Sequence, residues 1–305
     1  MHQSKQYRSI FSPSSAQERV RNFESYWGFS TRHAGELLEE EKDLVNKRER
    51  LRGFQNDPVR SRKPLADPSA FYRNYKKLLD DPKSLDRKTL LLTCIYKFAR
   101  HEWMGIQAAW DAVPPMAEAR TVRERISRVH LAEEFCHARL FNEMFRTFHL
   151  EVEWESLGPV QRAFYQFFAR LPGELMNAPA FVTELMGLTF YHHLDAALDD
   201  ILADEPQARG RLRALLQEIM VDELAHVGQR RNFIGPLGIR FAKLIVRPMY
   251  RLFFRDIPEA GALFDIPQMI REGLAFDYNQ VSPALLARSW VPSYCRRVGE
   301  AAQPS

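Results

Sequence analysis

Two short stretches carry side chains that can hold a metal ion: Glu133-Glu134-Phe135-Cys136-His137 and Asp222-Glu223-Leu224-Ala225-His226. In each, a carboxylate precedes an imidazole by three residues, close to one helical turn. Glu134 with His137, and Glu223 with His226, therefore project from one helix face and can reach the same ion. Of the nine histidines only these two have Glu at that spacing. One such pair arises readily by chance; two on separate helical stretches, each preceded by a second acid, do so far less often. The bland alternative is a pair of solvated helices with salt-bridge spacing. Apolar residues on the same face, such as Leu212, Leu216 and Ile219 ahead of Glu223, argue for an inward orientation.

Positioning these groups requires helices, and the apolar periodicity predicts four long ones. In the first, Leu91, Ile95, Phe98, Ala99, Glu102, Ile106 and Ala109 share a face that ends before Pro114-Pro115. The second spans about 117–148 and carries Ile126, His130, Leu131, Glu134, His137 and Phe141 together. A short aromatic helix is expected from Val160 to Arg170. The third starts at Ala178-Pro179, with proline in its first turn, and continues to about 203. The fourth spans about 207–233. Glu184 lies twenty residues before Asp204 and Glu223 nineteen after it, so an antiparallel hairpin brings them to one height. Glu102 and Glu184, each mid-helix on an apolar face, are the candidates for one inward carboxylate on each remaining helix. The alternative for either is a buried ion-pair partner.

The order Glu102, Glu134-x-x-His137, Glu184, Glu223-x-x-His226 resembles the ferritin-like di-iron carboxylate proteins over roughly residues 88–233. The resemblance implies an all-α fold, a ferritin-like four-helix bundle with a crossover and additional N- and C-terminal helices. It also implies that Glu134 and Glu223 bridge two metals, with Glu102 and His137 completing one site and Glu184 and His226 the other. Oxygen and imidazole donors suit iron or manganese. Two Fe ions are expected, with Mn or a mixed Mn/Fe pair as variants and O2 as co-substrate. Four carboxylates balance two divalent cations, whereas the same four unpaired in an apolar interior would be strongly destabilising. Glu133 and Asp222 are placed to accept the other ring N–H of the opposite motif's histidine. The Asp-Glu-x-x-His form is similar to that of multicomponent monooxygenases and ribonucleotide reductase small subunits. Cys136 and Ala225 replace the Arg those monooxygenases carry before each His. Phe141 stands where a reductase subunit has its radical Tyr, which disfavours radical generation. His130, four residues before Glu134, is either a seventh ligand or a core histidine. Tyr191, Gly105 and Gly187 are candidates for a substrate pocket, packing being the alternative for each.

The rest of the chain sets limits. It divides into a polar, partly helical extension (1–87), the bundle (88–235) and a C-terminal helical extension (236–305). One helix is expected near 34–52 in the first. No apolar run approaches the length of a membrane span, the N-terminus lacks the apolar core of a secretory signal, and three cysteines fit a reducing cytoplasm. A net charge of +4 carries no strong nucleic-acid signal. Arg240, Lys243, Arg247, Arg251 and Arg255 punctuate an aromatic helix. It could bind anionic lipid or an acidic carrier, or simply pack on the bundle or at a homodimer contact; Pro248 is expected to interrupt it. The expected function is a non-haem di-iron monooxygenase that hydroxylates or N-oxygenates a small or carrier-bound substrate, fed by an external reductase. Other readings are a ferroxidase or iron-storage protein, a tRNA hydroxylase, or a metal-free helical interaction module.

Overall fold

The computed structural model describes residues 9–296 except 157, 160–162, 164, 165 and 168–172. The regular structure of the described residues is helical apart from a short ladder between β1 (Leu37–Leu38) and β2 (Asp43–Leu44). The expected helix from Val160 to Arg170 falls largely outside the described residues.

Four long helices build the core: α4 (Arg87–Trp110), α5 (Val122–Thr147), α6 (Gly173–Ile201) and α7 (Pro206–Asn232). Local sequence explains their starts. The Asp86 carboxylate accepts the N–H groups of Lys88 and Thr89, each at 3.0 Å. Thr121 and Glu124 form a reciprocal capping box that opens α5. Pro206 occupies the first turn of α7, where its missing N–H costs nothing.

The contacts between helices fix their directions. Trp103 packs on Phe135 while Trp110 receives Arg128, so α4 and α5 run antiparallel. Glu133 meets His226 and His137 meets Asp222, so α5 and α7 are antiparallel. The pairs Asp195–Arg213 and Asp199–Arg209 show the same for α6 and α7. It follows that α5 and α6 point the same way, which requires the long connection between them.

Smaller elements wrap this core. Ahead of it lie α1 (Ala16–Ala34), α2 (Val45–Asn56) and α3 (Pro68–Asn74); after it come α8 (Pro236–Arg255), α9 (Pro258–Leu263), α10 (Ile266–Leu274) and α11 (Pro283–Arg288). Three expectations are corrected. The helix expected near 34–52 is instead the end of α1, the β1–β2 turn and α2. Gly35 ends α1 at φ 79°, a conformation that favours glycine, and its N–H closes on the Thr31 carbonyl. The third long helix begins at Gly173, with Pro179 inside it rather than in its first turn. That proline would have bonded the carbonyl of Leu175, which is exposed and open to water. Pro248 likewise does not interrupt α8: it lies on the solvent side, where water can satisfy the carbonyl its missing N–H leaves free.

Candidate metal centre

The two Glu-x-x-His pairs face each other across the α5–α7 contact. His137 Nε2 lies 3.1 Å from Asp222 Oδ2, and His226 Nε2 lies 2.8 Å from Glu133 Oε2. Each motif's leading acid thus holds the ring of the other motif's histidine, which leaves each Nδ1 facing inward. His137 Nδ1 is 3.3 Å from Glu134 Oε2 and 3.4 Å from Glu223 Oε1. His226 Nδ1 is 3.1 Å from Glu134 Oε1.

Helices α4 and α6 complete the cluster. Glu102 joins Glu134 and His137 in one group, and Glu184 joins Glu134, His130 and His226 in another. Within each group the candidate donor atoms lie no more than 4.8 Å apart. His130 Nε2 sits 3.3 Å from Glu184 Oε1 and 3.5 Å from Glu134 Oε1. Its ring centre is 3.9 Å from that of His226. Glu134 belongs to both groups; Glu223 lies alongside, against His137.

These residues fit metal ions. His137 Nδ1 and His226 Nδ1 are buried and have no hydrogen-bond partner, although carboxylate oxygens surround them. Two donors about 2.1 Å from one ion and at right angles to each other are about 3 Å apart. The observed spacing of 3.1–3.5 Å is compatible with donors gathered around a shared centre. Protonation tells the same story. Burial, then the charges of Glu134 and Glu223, holds Glu102 well above the usual carboxylate range. Burial and then Glu134 push Glu223 up to about 8. Burial opposes charge on His137 and His226, but the acids around them prevail and raise both rings well above their ordinary value. Without cations, protons are therefore favoured on Glu102, Glu223 and the two rings, while burial of Glu134 and Glu184 is outweighed by the neighbouring histidines, which hold both below the usual carboxylate range. The buried cluster could hold a metal ion.

The surrounding residues tie the cluster to the rest of the fold. Lys47 from α2 donates to Asp222 Oδ1, and His33 from α1 lies 3.3 Å from the same oxygen. The Tyr191 hydroxyl donates to Glu102, and Arg230 Nε donates to Glu184 Oε1 at 3.3 Å. A cavity of about 230 Å³ opens beside the cluster, with Gly105, Gly187, Phe98, Leu131, Met186 and Phe253 in its wall. Open space surrounds Gly105, and a β-carbon on Gly187 would come within 3.6 Å of Glu223.

The structure thus brings Glu102, Glu134, His137, Glu184, Glu223 and His226 together, with Glu133, Asp222 and His130 beside them. Tyr191 is fully buried among Phe98, Phe141 and Phe190, the packing alternative, and does not line this cavity. Its hydroxyl is committed to Glu102 instead. Sequence reasoning missed Lys47, His33 and Arg230, whose partners are remote in the chain or on another helix. No protein-family model matches the chain, and no curated protein or solved structure does so either.

Proposed function

We propose that this chain is a ferritin-like, non-haem di-metal oxygenase that activates O2 to oxidise a small organic substrate. The observation that carries the reading is the gathering of Glu102, Glu134 and Glu184 with His137 and His226, whose Nδ1 atoms have no hydrogen-bond partner, and with Glu223 against His137, all supplied by four separate helices. Glu102 and His137 would hold one ion, Glu184 and His226 the other, with Glu134 and Glu223 between them. His130 is close enough to Glu134 and Glu184 to add a third nitrogen to the second ion. Two iron ions so held would supply redox capacity and O2 activation.

The protein's own contribution is geometric and electrostatic. Glu133 and Asp222 hold the two histidine rings and their tautomers, and Lys47 keeps Asp222 ionised. Burial alone would raise the Asp222 pKa, but Lys47, His137 and His33 hold it well below the usual carboxylate range. Tyr191 orients Glu102. The cavity beside the cluster, with Phe98, Ile106, Leu131, Met186 and Phe253 facing the candidate ligands, can shelter a bound substrate next to them and supports an oxygenase over an iron-storage role. Both C–H hydroxylation and amine N-oxygenation suit such a site, with electrons from a separate reductase.

The test is metal analysis of protein from iron-replete cells, followed by reduction and exposure to O2. About two irons per chain and an optical change on O2 exposure are expected, with the metal lost in Glu134→Ala and His226→Ala. Protein that never retains metal would remove the reading.

A further inference from the structure

We propose that the outer face of α8 docks on the surface of an anionic phospholipid bilayer. The helix buries Ile239, Ala242, Val246, Tyr250 and Phe254 against α6 and α10. Its other side should then be polar, and it is not. Leu237, Phe241, Leu244 and Leu252 are 79%, 48%, 74% and 64% exposed. They account for four of the nine large exposed apolar residues among those described, so the exposure is concentrated on this helix.

The charges on the same side have one sign. Arg240, Lys243, Arg247, Arg251 and Arg255 form no hydrogen bond or ion pair among the described residues, and α8 contains no Asp or Glu. Outside this helix the chain's remaining 38 Lys and Arg are slightly outnumbered by its 39 Asp and Glu. The net positive charge of the chain therefore resides on α8.

A bilayer suits this pattern better than a folded acidic partner. Cationic and apolar side chains form adjacent exposed rows along a helix about 30 Å long. At a bilayer surface, phosphates and acyl chains lie a few ångströms apart in depth. Leucine and phenylalanine can enter while arginine and lysine extend to the phosphates. Binding would be peripheral, since no helix among the described residues is long and apolar enough to cross a membrane. The docked helix would also lie next to the candidate centre. Phe253 of α8 lines the cavity, and His101, another wall residue, pairs with Asp256 at 2.9 Å just beyond the helix.

The experiment is co-sedimentation of the full chain with vesicles of phosphatidylglycerol mixed with phosphatidylcholine, against phosphatidylcholine alone, with and without bound metal. Binding should need the anionic lipid and weaken as salt rises. Arg247→Gln with Arg251→Gln should reduce partitioning about 25-fold, at roughly fivefold per cation. Leu237→Ser with Leu244→Ser should reduce it independently, with circular dichroism unchanged for both variants. Failure to sediment with anionic vesicles, or sedimentation indifferent to both variants, would overturn the proposal. So would equal binding to polyaspartate that ignores the leucine substitutions, which would identify an acidic soluble partner. Conversion of a dimer to monomers by Leu244→Ser, without vesicle binding, would show instead that a second copy covers this face.

Discussion

Replacing Glu102 by Gln should stabilise the metal-free protein and weaken the metal-loaded one. Donor atoms of Glu102 and Glu134 lie within 4.8 Å, and two unit charges at that distance repel by about 3.5 kcal/mol at an effective dielectric of 20. Burial, then Glu134 and Glu223, accordingly holds Glu102 well above the ordinary carboxylate range. An acid whose pKa is higher in the folded state binds its proton more tightly there. The folded protein therefore loses stability as pH rises from the unfolded value, about 4.3, toward the folded one. Gln carries no charge and keeps an acceptor for Tyr191. After chelation the variant should match wild type as pH falls toward about 4 and exceed it above neutrality. Part of the repulsion is offset by the positive ring of His137 and the Tyr191 hydrogen bond, leaving a gain of about 2 kcal/mol, or on the order of 5 °C in Tm. Adding ferrous iron anaerobically should reverse the order, because wild type alone supplies the fourth carboxylate. Thermal melts across pH, with chelator and with iron, read both halves. The reasoning fails if Gln destabilises the metal-free protein at every pH, or if iron raises both melting points equally.

Three other substitutions probe the surroundings. Lys47→Met removes the buried cation on Asp222 and should cost about 3 kcal/mol, together with roughly 10- to 100-fold in metal affinity; a competition titration that shows unchanged affinity would exclude the link from α2 to the centre. Glu205 accepts Ser61 Oγ at 2.7 Å, the Arg62 N–H at 2.9 Å and Lys88 Nζ at 2.9 Å. Burial alone would raise its pKa, yet these donors hold it low, so its contribution is present above about pH 4.3 and is lost as pH falls through the depressed folded value. Glu205→Gln should cost about 2 kcal/mol at neutral pH and progressively less in acid, as read by urea melts. Lys97 and Glu259 pair at 2.5 Å with both side chains buried; Glu259→Ala should cost about 3–5 kcal/mol, while the double change Lys97→Met, Glu259→Leu should restore most of it, also by urea melt.

The features of the centre that could be read from sequence are those set by local geometry. Glu134 and His137 share a face because three residues make nearly one turn, and the same holds for Glu223 and His226. Glu184 and Glu223 reach one height because the turn between α6 and α7 is short. What escaped was set by contact between distant segments. Lys47 lies 175 positions from Asp222, and no local pattern marks it. Tyr191 shares a face with Glu184, but its hydroxyl partner is on α4. Proline removes a backbone donor, so Pro179 and Pro248 mark helix boundaries in the sequence. Whether that loss ends a helix depends on access to water, which only tertiary structure decides. The start of α1 is set locally, by Ser15 and Glu18, which form a capping box at the expected spacing.

The crosswise pairs also bear on how the fold selects its register. Ala132 of α5 and Leu224, Ala225 and Val227 of α7 are buried and small or aliphatic, and packing of such residues alone would tolerate a slip of one turn at modest cost. Glu133–His226 and His137–Asp222 would not. Both pairs are buried and both connect the same two helices at the same offset, so a slip would leave four charged or polar groups without partners at once. The residues that orient the histidines toward a metal therefore also specify how the two motif-bearing helices meet. That double role implies that assembly of the centre need not wait for metal. Glu133 and Asp222 can set the register in the metal-free chain, and the inward carboxylates then gain their counter-ions.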